Sequence, residues 1–218
     1  MTDISDALDE LDREDELDDT LLVRKSVDAI ERRLPTLQLI ENEYIREATV
    51  ALSCTAPPYF WKRPGSYSGY HHGHKHGLWL HTLKLSTVIE SLFPSYMERD
   101  LLSPRERDYA HAAAILHDQR KNGRDPDSDS TSNVHDIVMA DIIRETMIGD
   151  ELGELVAQAI EQHMGPWGTG PVPNSVLNEL VHTADMIASR KGYDIAIYEP
   201  VPEELEPHVR DTIEVPER

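Results

Sequence analysis

The chain has 218 residues, with 41 acidic against 21 basic side chains, eleven histidines and a single cysteine. That length is enough to bury a substantial core as one domain with tails, and a net charge of −20 argues against a protein whose main task is gripping nucleic-acid phosphates. Cys54 alone allows no intrachain disulfide and suits a reducing cytoplasm, the acidic opening Met1–Asp6 lacks the apolar run of a signal peptide, and no stretch of about 18 apolar residues offers a membrane span.

The charge is uneven. Residues 1–20 hold ten acids and one base, and residues 199–218 hold seven acids and two bases. The rest carries 24 acids and 18 bases, so the body is only mildly acidic. The expected organisation is an acidic disordered lead (1–20), a helical domain (21–198) and an acidic, proline-containing flexible tail (199–218). The bases are 15 Arg against 6 Lys, a composition that fits a cell of high internal salt, with ordinary acidic tails as the alternative.

In chain order, Leu21 to Leu34 form an amphipathic stretch that stops before Pro35, and Leu37 to Ala51 carry a second helical period to Cys54. Pro57 to Gly77 reads as a long loop whose aromatic content favours an ordered, functional segment. Periodicity returns from Leu78 to Leu92 and is expected to close at Pro94. Ser103-Pro104 reads as cap and first residue of a helix through Leu116. After a polar loop from Gln119 to Asn133, helices are expected at about 134–148 and 150–163, then a linker from Gly165 to Pro173. Ser175 or Asn174 caps a last helix through Ala188, and Ile195 to Tyr198 is a candidate short strand. The fold class is all-α.

The histidines are the informative residues. His117-Asp118 falls at the end of a helix, where the turning backbone lets adjacent side chains converge on one cation. His81 lies one turn into its helix, Asp185 is in the middle of the last, His135 begins one helix and His163 ends another. Six candidate ligands thus come from five helices, a set that can meet in a bundle core. Nitrogen and carboxylate donors without thiolate suit one or two divalent ions among Mn, Mg, Fe, Co, Ni and Zn. His71, His72, His74 and His76 form a histidine-rich run, read as a solvated loop for the last three and as a surface metal trap in the alternative.

Four segments, in order, resemble the HD-domain metal-dependent phosphohydrolases. Gly77-Leu-Trp-Leu-His81-Thr82 resembles the family's GGLxxHT segment, and Ala114-Ile-Leu-His-Asp-Gln-Arg-Lys121 its LLHDxxK segment. Ile160-Glu-Gln-His163-Met-Gly165 and His182-Thr-Ala-Asp185-Met-Ile-Ala-Ser189 are similar to the two that follow, and the resemblance spans about residues 37 to 192. It implies a helical bundle in which His81, His117, Asp118 and Asp185 hold a first metal ion. Asp118 would bridge to a second held by His135 and His163. Two departures stand out: Gln119-Arg120, where small or apolar residues are commoner and which is expected to alter the rim of the site, and Gln162-His163, where many relatives have two histidines.

The chemistry so implied is attack of metal-activated water on a phosphomonoester or phosphodiester, with a nucleotide or other small phosphoester as substrate. Asp118 or Asp185 would orient the water, and Lys121 would meet phosphate oxygens. His182, on the same helical face as Asp185, is expected to hold a ligand in place or simply to pack. Lys84 is a candidate for positive charge toward substrate. In the loop, Ser66, Ser68, Tyr70 and His71 are the candidates for substrate recognition. The competing readings are an HD-type nuclease on RNA or DNA ends, a di-iron oxygenase, and a nucleotide-binding regulator without turnover.

Overall fold

Residues 26–33 form helix α1, which stops before Pro35 as expected. The structure, a computed structural model, describes residues 26–65, 72–147, 150–190 and 192–214. The acidic lead and the start of the first amphipathic stretch lie outside these residues. After α1 the order is a 3-10 turn Pro35–Leu39, α2 (Glu43–Cys54), α3 (Gly77–Met97), α4 (Pro104–Leu116), α5 (His135–Thr146), α6 (Glu151–Glu161) and α7 (Val176–Ala188). A two-stranded parallel sheet, β1 (Ile197–Tyr198) with β2 (Thr212–Ile213), completes the described chain.

Helix α4 is the hub. It packs against α2, α3, α6 and α7. Its run Ala110, Ala112, Ala113 and Ala114 is buried, and such small side chains let four helices approach one axis closely. Helix α3 is buried at every position from Gly77 to Ile89, its polar His81, Thr82, Lys84, Ser86 and Thr87 included. Helix α5 joins through α6, and α7 closes the bundle against α3.

Three boundaries differ from the sequence reading, each for a physical reason. The period from Leu37 to Cys54 is broken at residues 40–42, because the buried Asp108 carboxylate on α4 takes the backbone N–H groups of Glu41 (2.8 Å) and Asn42 (3.0 Å). The Asn42 side chain then caps α2 by accepting from Ile45 N–H at 3.1 Å. Helix α3 runs through Pro94 to Met97; a proline so near the end removes one N–H from the ladder and leaves only a final turn beyond it. The segment from 199 is not a solvated tail over its described length. Leu205 is fully buried, and β2 pairs with β1 on the flank of α3. Charge and proline content suggested a free end; one leucine and a strand pairing dock it.

The remaining helix starts follow their capping chemistry. Glu106 accepts from the Ser103 backbone N–H at 2.7 Å ahead of Pro104, and Ser175 accepts from Asn178 N–H at 3.2 Å. Among the described residues no helix is long and apolar enough to cross a membrane.

Candidate metal centre

The donors meet because local geometry aims each of them inward. Gly77, the first residue of α3, lies so close to the His72 carbonyl that any Cβ would overlap it. This contact sets the start of α3 and so the height of His81, one turn later. His117 caps α4 at its C-terminal end, and the chain then turns through Asp118 to Asn122. Tyr59 staples that turn: its hydroxyl accepts from Asn122 N–H at 3.1 Å and donates to the Gln119 carbonyl at 3.4 Å. The loop aromatic thus positions the centre from outside, a role that needed the tertiary contact to be seen.

All six expected ligands are brought together. His81 Nε2 lies 2.9 Å from Asp185 Oδ1, and His117 Nε2 lies 3.9 Å from the same oxygen and 3.5 Å from Asp118 Oδ2. On the other side of Asp118, Oδ1 is 3.1 Å from His135 Nε2 and 3.9 Å from His163 Nε2. Donor atoms of His81, His117 and Asp185 lie within 4.8 Å of one another, as do those of His117, Asp118 and His163. The four histidines and Asp118 are buried; Asp185 retains a 15% exposed side chain.

The imidazole tautomers are decided by the backbone. His117 Nδ1 faces the Ala114 carbonyl at 2.8 Å, His135 Nδ1 that of Ser132 at 2.9 Å, and His163 Nδ1 that of Ile160 at 2.6 Å. A carbonyl only accepts, so each Nδ1 carries the proton and each Nε2 presents a lone pair to the centre. His117 Nε2 is buried and has no hydrogen-bond partner among the described residues. Buried polar atoms are seldom left so, and a lone pair aimed at two carboxylates fits a cation.

The ionisation states agree. Burial pushes His117 below its ordinary value and His163 down to about 3, so both are neutral ligands near pH 7. Burial alone would raise the two carboxyls, but it is outweighed. For Asp118 the chief opposing cause is the charge of Lys121. For Asp185 it is the hydrogen bond from His81. Both are held well below the carboxylate range. Neutral nitrogen with ionised oxygen is the donor set that divalent transition ions or Mg accept.

The other predicted residues divide. His182 does not face the cluster; its Nδ1 donates to the His163 carbonyl at 2.6 Å and its ring stacks near Trp167. Gly165, at φ +54°, leaves it room, since a Cβ there would sit 2.5 Å from the His182 ring. His182 therefore touches the backbone of His163 rather than the donor cluster. Lys121 turns inward rather than toward solvent, with Nζ 2.9 and 3.0 Å from the Asp118 oxygens. Lys84 is buried and makes no ion pair among the described residues; burial pushes its ammonium below the ordinary lysine value, with Asp194 opposing and Arg210 adding to the shift. Ser66, Ser68, Tyr70 and His71 lie outside the described residues.

Gln119 and Arg120 do not form the rim. Gln119 Nε2 donates to Ser53 Oγ and Arg120 to the Thr55 carbonyl, so both tie the end of α4 to α2. Gln162 likewise turns away, accepting from Asn174 N–H and the Asn178 amide. In the histidine-rich run, His72 reaches the Ala188 carbonyl, His74 stacks on His208 at 3.8 Å and His76 bonds the Trp61 carbonyl. All three are partly buried and have partners within the fold. Sequence reasoning also missed Asp136, whose fully buried carboxylate lies beneath the turn at Gly168 and Gly170.

Comparison with known proteins gives one match. Residues 78–190, just over half of the chain and a span that contains all six donors, match the HD domain. No curated protein and no solved structure matches the chain significantly. With the match and the buried histidine–aspartate cluster falling on the same helices, the chain belongs to the HD-domain family, within the superfamily of metal-dependent phosphohydrolases.

Proposed function

We propose that this protein hydrolyses a phosphomonoester or phosphodiester, of a nucleotide or another small phosphoester, with water as the nucleophile. The observation that carries the reading is the convergence of backbone-fixed imidazole lone pairs on two ionised, buried carboxylates. His81, His117, Asp118 and Asp185 would hold a divalent ion, which when bound lowers the pKa of water and offsets charge on phosphoryl oxygens. The chain's own residues do the rest. Asp185 Oδ1, engaged by His81, is the more exposed carboxylate and is suited to orient water. The Lys121 ammonium keeps Asp118 ionised. His182 and the carbonyl bonds to Nδ1 fix ring direction, so little reorganisation accompanies the reaction.

An overall charge of −20 favours a small substrate over a nucleic-acid duplex. The test is metal analysis of the purified protein with a panel of phosphomonoesters and phosphodiesters. Asp118→Ala is expected to lose bound metal and hydrolysis together, with activity down by at least about 10³. A variant that keeps both would remove the proposal.

A further inference from the structure

Lys121 is the one member of the centre whose predicted role and observed partners differ most. Its ammonium has three donors. All three are matched: Asp118 Oδ1 at 2.9 Å, Asp118 Oδ2 at 3.0 Å and His135 Nε2 at 3.1 Å. The His135 contact is a true acceptor contact, because Nδ1 already gives its proton to the Ser132 carbonyl. The lysine is also held at its base. Its N–H donates to the Asp118 carbonyl, and its own carbonyl accepts from Ser132 N–H at 2.9 Å. The side chain is 17% exposed, against 5% for Asp118 and 3% for His135.

A second divalent ion between Asp118, His135 and His163 would need the same Asp118 oxygen and the same His135 lone pair. The carboxylate could bridge two cations, but His135 Nε2 has a single lone pair, so an ion and the Lys121 ammonium cannot both hold it, and +1 and +2 charges crowded on that one spot would repel. On the reading above that His81, His117, Asp118 and Asp185 hold a metal, we propose that the Lys121 ammonium is the built-in second cation of this centre. It takes the place of a second ion on Asp118 and His135, and the protein binds one divalent ion per chain. His135 serves as the acceptor that anchors Lys121, not as a metal ligand.

Mn²⁺ titration by calorimetry, with metal content measured after equilibrium dialysis, tests this directly. Wild type is expected to bind one Mn²⁺ per chain. Lys121→Met removes the charge with little change of shape and is expected to bind two, the pair being visible as exchange-coupled Mn²⁺ in electron paramagnetic resonance. His135→Ala, measured in the otherwise unaltered protein, is expected to keep one ion, whereas His81→Ala loses it. Two ions in wild type, or one ion in a folded Lys121→Met, would overturn the inference. So would loss of the single ion in His135→Ala, which needs no lysine variant to fold. A wild type that binds none would instead overturn the metal reading itself, and the two failures are thus distinct.

Discussion

Helix α4 carries two polar clusters, the first part-buried and the second almost wholly buried, and their balance of donors and acceptors differs. Toward its N-terminal half, Arg107 grips Glu90 of α3 with Nε at 2.6 Å and Nη2 at 2.8 Å, and reaches Glu41 at 3.2 Å. His111 donates to the same Glu90 at 2.5 Å. Each charge there has an opposite charge in contact, and the acceptor left over among the described residues is the single lone pair of His111 Nδ1. At the C-terminal end, several imidazole lone pairs and two carboxylates converge with one ammonium among them. The first cluster is closed and ties α3 to α4. The second has acceptors in excess and turns them to a common point. Counting donors against acceptors therefore separates a closed ion network from one with acceptors to spare for a cation on the same helix, although both are histidine–carboxylate clusters.

Exchanging the damage between the two clusters breaks the comparison if it is wrong. Asp118→Ala, with its loss of activity of at least about 10³, is expected to leave the far-ultraviolet circular dichroism spectrum unchanged. Glu90→Ala does the converse: it strands Arg107 and His111 and should cost about 3–5 kcal/mol in urea unfolding. The folded fraction of Glu90→Ala is expected to keep its metal stoichiometry.

Acid sharpens the same contrast. Burial raises the Glu90 carboxyl, but its hydrogen bonds and charge contacts with His111 and Arg107 outweigh this and bring it from 4.5 to about 2. A depressed folded value means stability that is complete above the unfolded value and lost as pH falls, here between about 4.5 and about 2. Integrated, the contribution is on the order of 3 kcal/mol. Glu90→Gln should lack this leg in stability measured against pH. His163 acts earlier with the same sign: neutral when folded, pushed down to about 3 by burial, it starts to cost stability below its ordinary value of 6.5. Metal-free protein is therefore expected to weaken progressively on acidification, and in Glu90→Gln the loss below about pH 4.5 should be smaller, with the depressed Asp118 and Asp185 accounting for what remains. The smallest effect is that of His182→Ala, which frees the His163 carbonyl and should weaken metal binding about 10- to 100-fold with little change in unfolding midpoint.

Much of the site was legible because its information is local. The order His81, His117-Asp118, Asp185 sits on helices whose ends are written in short-range chemistry: Ser103-Pro104, Ser175, and the alanine run before His117. Helix registry then carries each donor to a predictable height, so the all-α class and the set of donors that could meet were legible in the chain. Partner choice could not. Lys121 was expected to point toward phosphate, and it turns to Asp118 and His135, fourteen residues away in the latter case. Gln119 and Arg120 were expected at the rim, and Ser53 and Thr55 draw them to α2. Asp108 breaks a helical period more than sixty residues earlier.

By itself, then, the sequence determined which residues can ligate a cation and on what elements they ride, since caps, periods and motif spacing act within a few residues. Only the tertiary structure decided which of those groups face one another, which proton sits on which nitrogen, and that a lysine stands between Asp118 and His135. It also decided that the acidic C-terminal segment docks, through Leu205 and the β1–β2 pair. Side-chain partners are chosen by whichever donor or acceptor the fold brings within about 3 Å, and that distance depends on contacts across the whole chain.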